Sequence, residues 1–204
     1  MISPQSSIRV ISLSQYQCHN RANSGGNIIW KIALVYGVVS GTIVILSMML
    51  GILTSGRESF WSSEIFGYLI MLIALSMIFV GIRKYRDSEL GGVIRFFPAL
   101  GLGLAISVIA GFIYVFVWEL YLISSDYRFI AEYAAGVIEA RKAEGLSGAA
   151  LDTLIADMEQ LTDNYAKPWF RWPMTFLEIF PVGLLISLIS AALLRNPKLL
   201  PANR

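Results

Sequence analysis

Three glutamates, Glu64, Glu119 and Glu178, stand inside or at the edge of long apolar runs. A carboxylate there is expensive, and the first reading of it is functional. Brought together, the three could bind and release protons or hold a cation, which is the chemistry of an ion-coupled carrier. Arg57, Arg128 and Arg171 fall near the same level of the pattern and are the expected basic neighbours. With those partners the carboxylates become interfacial groups satisfied by arginine, water or headgroups. Glu178 is the deepest of the three, so a proton-handling mechanism would rest on it first. Nucleophilic and metal chemistry find no residues to work with. His19 is the only histidine and Cys18 the only cysteine, and both lie in a polar leader. No zinc site, disulfide framework or Cys-His or Ser-His pair can be built from them. No catalytic residue and no cofactor is expected, and the protein is expected not to be an enzyme. Gly101-Leu102-Gly103 is no nucleotide loop, because no strand precedes it and it sits at membrane depth.

The elements that must position these groups are hydrophobic helices. The chain has 204 residues, of which 56% are hydrophobic and 15% charged, well beyond the apolar content of a soluble domain. Ile28–Leu53, Ile65–Ile82, Pro98–Leu122 and Met174–Leu194 are continuous apolar runs, each near the ~20 residues that a crossing helix needs. Continuous rather than alternating hydrophobicity excludes a transmembrane barrel. The expected fold is all-α, an integral membrane four-helix bundle. Its divisions are a flexible cytoplasmic leader over 1–27, three spans within 28–123, a helical hairpin over 124–172, the fourth span over 173–195 and a tail over 196–204. In the hairpin, Leu151, Leu154, Ile155, Met158, Leu161 and Tyr165 share one helical face, and Phe129, Tyr133, Val137 and Ile138 form a second. Gly145 is the expected stop of the first hairpin helix, Ser147 the N-cap of the second, and Lys167-Pro168 its end.

Orientation follows from the basic residues of the short connections. Arg83, Lys84, Arg86 and Arg95 lie between the second and third spans, Arg9 and Arg21 in the leader, and Arg195, Lys198 and Arg204 in the tail. The connection after the first span holds only Arg57. Both termini are therefore expected in the cytoplasm and the hairpin outside. The hairpin's eight acidic residues against five basic ones agree weakly with this, since long loops translocate largely regardless of charge. Trp61, Trp118, Trp169 and Trp172 fall at the outer ends and Trp30 at the inner end, as expected of headgroup anchors. The net charge of +2 and the scattered basic residues argue against nucleic acid as a partner. The segment Arg83-Lys84-Tyr85-Arg86-Asp87 is basic enough to attract anionic headgroups, although a positive-inside determinant needs no specific ligand.

Small residues recur every fourth position: Gly37 and Gly41, then Gly103, Ser107 and Gly111, then Gly183, Ser187 and Ala191. Such stripes let helix backbones approach closely, either inside the bundle or between two copies in a homo-oligomer. Pro181 is expected to kink the fourth span. Tyr36-Gly37 with Ser40-Gly41, Gly81-Ile82-Arg83-Lys84-Tyr85-Arg86-Asp87 with Gly91-Gly92 and Phe96, and Glu178-Ile179-Phe180-Pro181-Val182-Gly183 leading to Leu188-Ile189-Ser190 together resemble a bacterial membrane-protein family, domain of unknown function 4199. The resemblance begins near Trp30 and covers nearly everything after the leader. It implies a four-helix membrane domain with a helical insertion before the last span, and no assigned activity. The expected function is that of a multi-pass scaffold, assembly or accessory component meeting a protein partner through the hairpin. The alternative is a small carrier that uses the membrane carboxylates.

Overall fold

The computed structural model describes the backbone of residues 4–54, 64–198 and 201, and the side chains of 26–51, 67–198 and 201. Arg57, Trp61 and the side chains of Cys18, His19 and Glu64 lie outside the described residues. The described residues form seven helices in order: α1 (Pro4–Thr54), α2 (Glu64–Leu75), α3 (Met77–Glu89), α4 (Phe96–Ser124), α5 (Arg128–Ala143), α6 (Ala149–Tyr165) and α7 (Pro168–Leu194). α1 takes in most of the segment expected as a leader as well as the first span. α2 and α3 form one span with an interruption at Ser76. The hydroxyl of Ser76 donates to the Ile73 carbonyl at 2.6 Å, while its own amide still donates to Leu72 at 2.9 Å. Four helical stretches are long and apolar enough to cross a membrane: Gly26–Gly51, Gly67–Glu89, Phe96–Ser124 and Pro168–Leu194.

Packing explains why the bundle belongs in a bilayer. Only a third or so of each span is buried, from 33% to 39%. Large apolar side chains such as Leu46, Ile73, Phe112, Phe116, Leu177 and Leu185 stand on the outside. A soluble bundle hides one apolar stripe and shows water a polar face; helices apolar all round need lipid on the other side. The chain is an integral membrane four-helix bundle.

α4 is its centre and packs chiefly against α1 and α7. With α1 it runs parallel: a Cβ on Gly37 would meet Ile109 at 2.6 Å, and one on Gly41 would meet the Ala110 carbonyl oxygen at 2.9 Å. With α7 it runs antiparallel. Gly103 faces Ser187, Ser107 faces Gly183, and Gly111 lies under the Phe176 ring. The Ser107 and Ser187 hydroxyl oxygens lie 3.2 Å apart, and each hydroxyl donates its one proton to the carbonyl four residues earlier in its own helix. In an apolar medium those local bonds leave the hydroxyls satisfied while the helices close up. The small-residue stripes of the last two spans thus meet one another within a single chain.

Helix ends differ from the sequence expectations in three places. α3 continues to Glu89, so Arg83 to Asp87 are its last turns rather than a connecting loop. α7 begins at Pro168 rather than at Met174, because proline at a first helical position loses no bond and has its φ already set. Trp169 to Trp172 are therefore helical. The N-cap of α6 is Gly148 at φ 61°, not Ser147. Gly145 does end α5: at φ 91° it donates to Lys142 while Leu146 donates to Arg141, the paired bonds of a Schellman motif.

Candidate functional site

One cluster of polar groups forms at the end of the bundle that carries α5 and α6. Near the C-terminus of α4, Glu119 faces the first turns of α7. The early start of that helix aims Arg171 inward, where its side chain is 2% exposed. Its guanidinium grips Glu119 with two bonds, Nε to Oε2 at 2.9 Å and Nη2 to Oε1 at 2.6 Å. Trp172 Nε1 donates to the same carboxylate at 3.1 Å and the Tyr127 hydroxyl at 3.0 Å. The third arm of Arg171, Nη1, donates to the Tyr165 carbonyl at 2.7 Å, so the arginine ties α4 to the last residue of α6. Its plane also lies over the rings of Tyr127 and Tyr165, at 5.0 and 5.7 Å from their centroids. A forked, two-bonded arginine between aromatic rings is the arrangement in which guanidinium loses least on leaving water.

Beside this pair lies a second join. Trp118 is 3% exposed, and its indole N–H donates to the Tyr165 hydroxyl at 2.7 Å. Phe129 of α5 stands edge-on to Trp118 at 4.8 Å, and Tyr121 stacks on it at 5.2 Å. Trp118 is thus a buried clamp and not the headgroup anchor expected from its position, whereas Trp30, Trp169 and Trp172 are exposed at 61%, 74% and 49%. Burial raises the Tyr165 hydroxyl above the ordinary tyrosine range, so it stays neutral and able to accept the indole bond. The hydrogen bond to Glu119 raises the Tyr127 hydroxyl likewise.

The turn that brings Tyr127 to this cluster is strained. Asp126 at φ 51° and Tyr127 at φ 56° are consecutive non-glycine residues in the left-handed region. Such residues each cost roughly 1–2 kcal/mol. Tyr127 has its bond to Glu119 and its contact with Arg171 in return, but Asp126 is exposed and makes no side-chain bond among the described residues. Asp126→Gly should therefore stabilise the protein by about 0.5–1 kcal/mol, the relieved strain less the added freedom of the unfolded chain. A rise in the thermal unfolding midpoint in detergent checks it, and an unchanged or lower midpoint counts against strain at this turn.

Glu178 is not part of the Glu119 cluster. Deeper in the bundle and exposed on α7, it accepts from the Tyr114 hydroxyl at 3.3 Å. The same hydroxyl lies 2.9 Å from the Met48 sulfur. Among the described residues Glu178 has no cationic partner. Arg128, one of the expected neighbours, donates instead to the Ser125 carbonyl at 3.2 Å and is exposed. Among the described residues, Arg171 is the expected basic neighbour that meets one of the carboxylates, Glu119. Sequence reasoning missed the aromatic partners Trp118, Tyr127 and Tyr165. Tyr127 and Tyr165 left a faint signal, as tyrosines at the two limits of the hairpin where chain ends must be fastened. Among the described residues no three His, Cys, Asp or Glu side chains gather in a way that could hold a metal ion.

A family model described as a protein of unknown function, DUF4199, matches residues 35–196. No curated protein matches the chain, and no solved structure does. The matched stretch runs from the first span to the end of α7 and takes in both Glu119 and Arg171. The chain therefore belongs to the DUF4199 family, as a multi-pass membrane protein.

Proposed function

We propose that the protein is a non-enzymatic component of a bacterial inner membrane, a scaffold, assembly factor or accessory subunit that presents the α5–α6 hairpin to a partner outside the cytoplasm. The observation that carries this reading is the fastening of the hairpin. Glu119 is engaged by Arg171, Trp172 and Tyr127, and Arg171 by Glu119 and Tyr165. Polar groups held this way position a platform and leave little to titrate or to bind a travelling ion. α6 carries Asp152, Asp157, Glu159 and Asp163 without a basic residue, and all four are exposed. The opposite end of the bundle carries Arg83, Lys84, Arg86, Arg95, Arg195 and Lys198, which supports cytoplasmic termini by the positive-inside rule.

The apolar residues Leu151, Leu154 and Met158 are half-buried in a hairpin whose two helices pack together, so polar replacements there would unravel it. The better probe is the acidic face. Photo-crosslinking from Ala156 and Gln160 in the full chain should give one recurrent partner. Joint reversal of Asp152, Glu159 and Asp163 to lysine should abolish that crosslink while thermal stability is retained. Crosslinks only to lipid or to the chain itself would remove the proposal. Glu178 supports a second reading, an ion-coupled carrier, because it is a membrane carboxylate with no cation beside it. Proton flux into liposomes that is lost in Glu178→Gln would favour the carrier; flux absent from both proteins would dismiss it.

A further inference from the structure

At the end of the bundle opposite the hairpin, α3 closes with two arginines drawing on one carboxylate. Arg86 is 0% exposed. Its Nε donates to Asp87 Oδ1 at 2.6 Å, yet Nη1 and Nη2 are buried and have no hydrogen-bond partner among the described residues. Asp87 is shared, since its other oxygen lies 3.6 Å from Arg83 Nε. Two guanidinium groups therefore draw on one carboxylate, and the group is left one positive charge in excess. Arginine cannot lose its proton to escape this. Buried charges are tolerated when paired and hydrogen-bonded, and Arg86 is only half supplied.

The surroundings say what would complete it. Lys84 and Arg95 add positive charge at the same end, against the exposed Glu89. Gly91 and Gly92, at φ 62° and 91°, turn the chain from α3 toward α4, and the Gly92 amide donates back to the Arg86 carbonyl at 3.0 Å. Just past that turn Val93 and Phe97 are 58% and 80% exposed on either side of Arg95. Basic groups next to exposed apolar ones, at the end of a span, suit a phosphate at headgroup level with acyl chains alongside.

We propose that Arg86 is a phosphate-binding residue, its two unshared guanidinium nitrogens taking the oxygens of a phosphate group at this end of the bundle. The phosphate is carried by an anionic phospholipid or is free in solution. Binding turns the outer torsions of Arg86 toward the membrane boundary while Asp87 keeps its ion pair with Arg83. Two oxygens on one phosphate match the forked donors, which lysine would not do.

The test uses the full chain, stripped of lipid in a neutral detergent, and the variants R86M and R86K. Thermal unfolding is followed with inorganic phosphate at constant ionic strength, with phosphatidylglycerol, and with phosphatidylcholine as a zwitterionic control. The wild type should gain about 5–10 °C at a ligand level roughly a hundred times the dissociation constant, and R86M should gain nothing. Without ligand R86M should be at least as stable as the wild type, because it removes an unsupplied buried cation. With ligand the order should reverse, and R86K should recover only part of the gain. A gain with inorganic phosphate identifies the free anion as a source, and a gain with phosphatidylglycerol alone identifies the lipid. A wild type stabilised by neither, or an R86M stabilised as much as the wild type, overturns the proposal. If R86M is not recovered, native mass spectrometry of the wild type decides. A phosphate or phosphatidylglycerol adduct that outlasts phosphatidylcholine on activation supports the site, and adducts all lost alike refute it.

Discussion

Glu119→Ala is expected to destabilise the protein by about 3–5 kcal/mol, a fall of about 10 °C in the unfolding midpoint. The substitution takes both carboxylate oxygens from a guanidinium that is 2% exposed. Arg171 then keeps one hydrogen bond, to the Tyr165 carbonyl, and the faces of two tyrosine rings. Nothing remains to neutralise it. The reverse change, Arg171→Met, should cost less. Glu119 is 18% exposed and keeps the Trp172 indole and the Tyr127 hydroxyl as donors, so water and two bonds still support its charge. The double variant E119L/R171M should be more stable than E119A alone, because an apolar pair of matching volume replaces a buried cation left over. Thermal unfolding of the wild type, E119L, R171M and the double variant in one detergent supplies the cycle. Equal and small losses from both single variants, below about 1 kcal/mol, would mean that the pair is a solvated surface contact. The loss should also loosen α6, visible as faster amide exchange over Ala149–Tyr165.

The spans were legible because hydrophobic length and periodicity are local properties. Runs such as Pro98–Leu122 declare a crossing helix without reference to any other part of the chain. The rotation of each helix about its own axis was not legible. α4 is apolar nearly all round, so its composition cannot tell the face that meets α7 from the face that meets lipid. This is why Trp118 reads as a headgroup anchor in sequence and is buried against Tyr165 in space. Arg86 was hidden by the same ambiguity together with a misplaced helix end. Once Arg83 and Asp87 are seen as an i, i+4 pair and Gly91-Gly92 as the stop, α3 extends to Glu89 and Arg86 rotates onto its buried face. The pairing of Glu119 with Arg171 could be anticipated because both sit at ends of spans, where the topology alone sets the level. The tyrosines completing that cluster could not, since they depend on a strained turn at Asp126 and Tyr127 that no residue type announces. Glycine there would have been the signal.

Gly183→Ala should cost about 1–3 kcal/mol, an unusual penalty for one methyl group in a helix. A Cβ at this position would lie 2.8 Å from the Ser107 Oγ and 2.9 Å from its Cβ. Serine cannot swing away as a long side chain could, and its hydroxyl is committed to the Gly103 carbonyl with Ser187 packed 3.2 Å away. The two helices must therefore separate along their whole contact. The reciprocal place, Gly103 against Ser187 at the same 2.8 Å, gives the discriminating experiment. Ser107→Gly removes both atoms that the new methyl would strike, so S107G/G183A should regain most of the lost stability. S187G added to G183A should not, because Ser187 faces Gly103. A stripe that works between copies instead would behave differently: Gly183→Ala would then change the mass of the detergent-solubilised particle and leave monomer unfolding untouched. Light scattering and thermal unfolding on the same samples separate the two. A rescue that depends on which serine is cut back can arise only if α4 and α7 lie in this register within one chain.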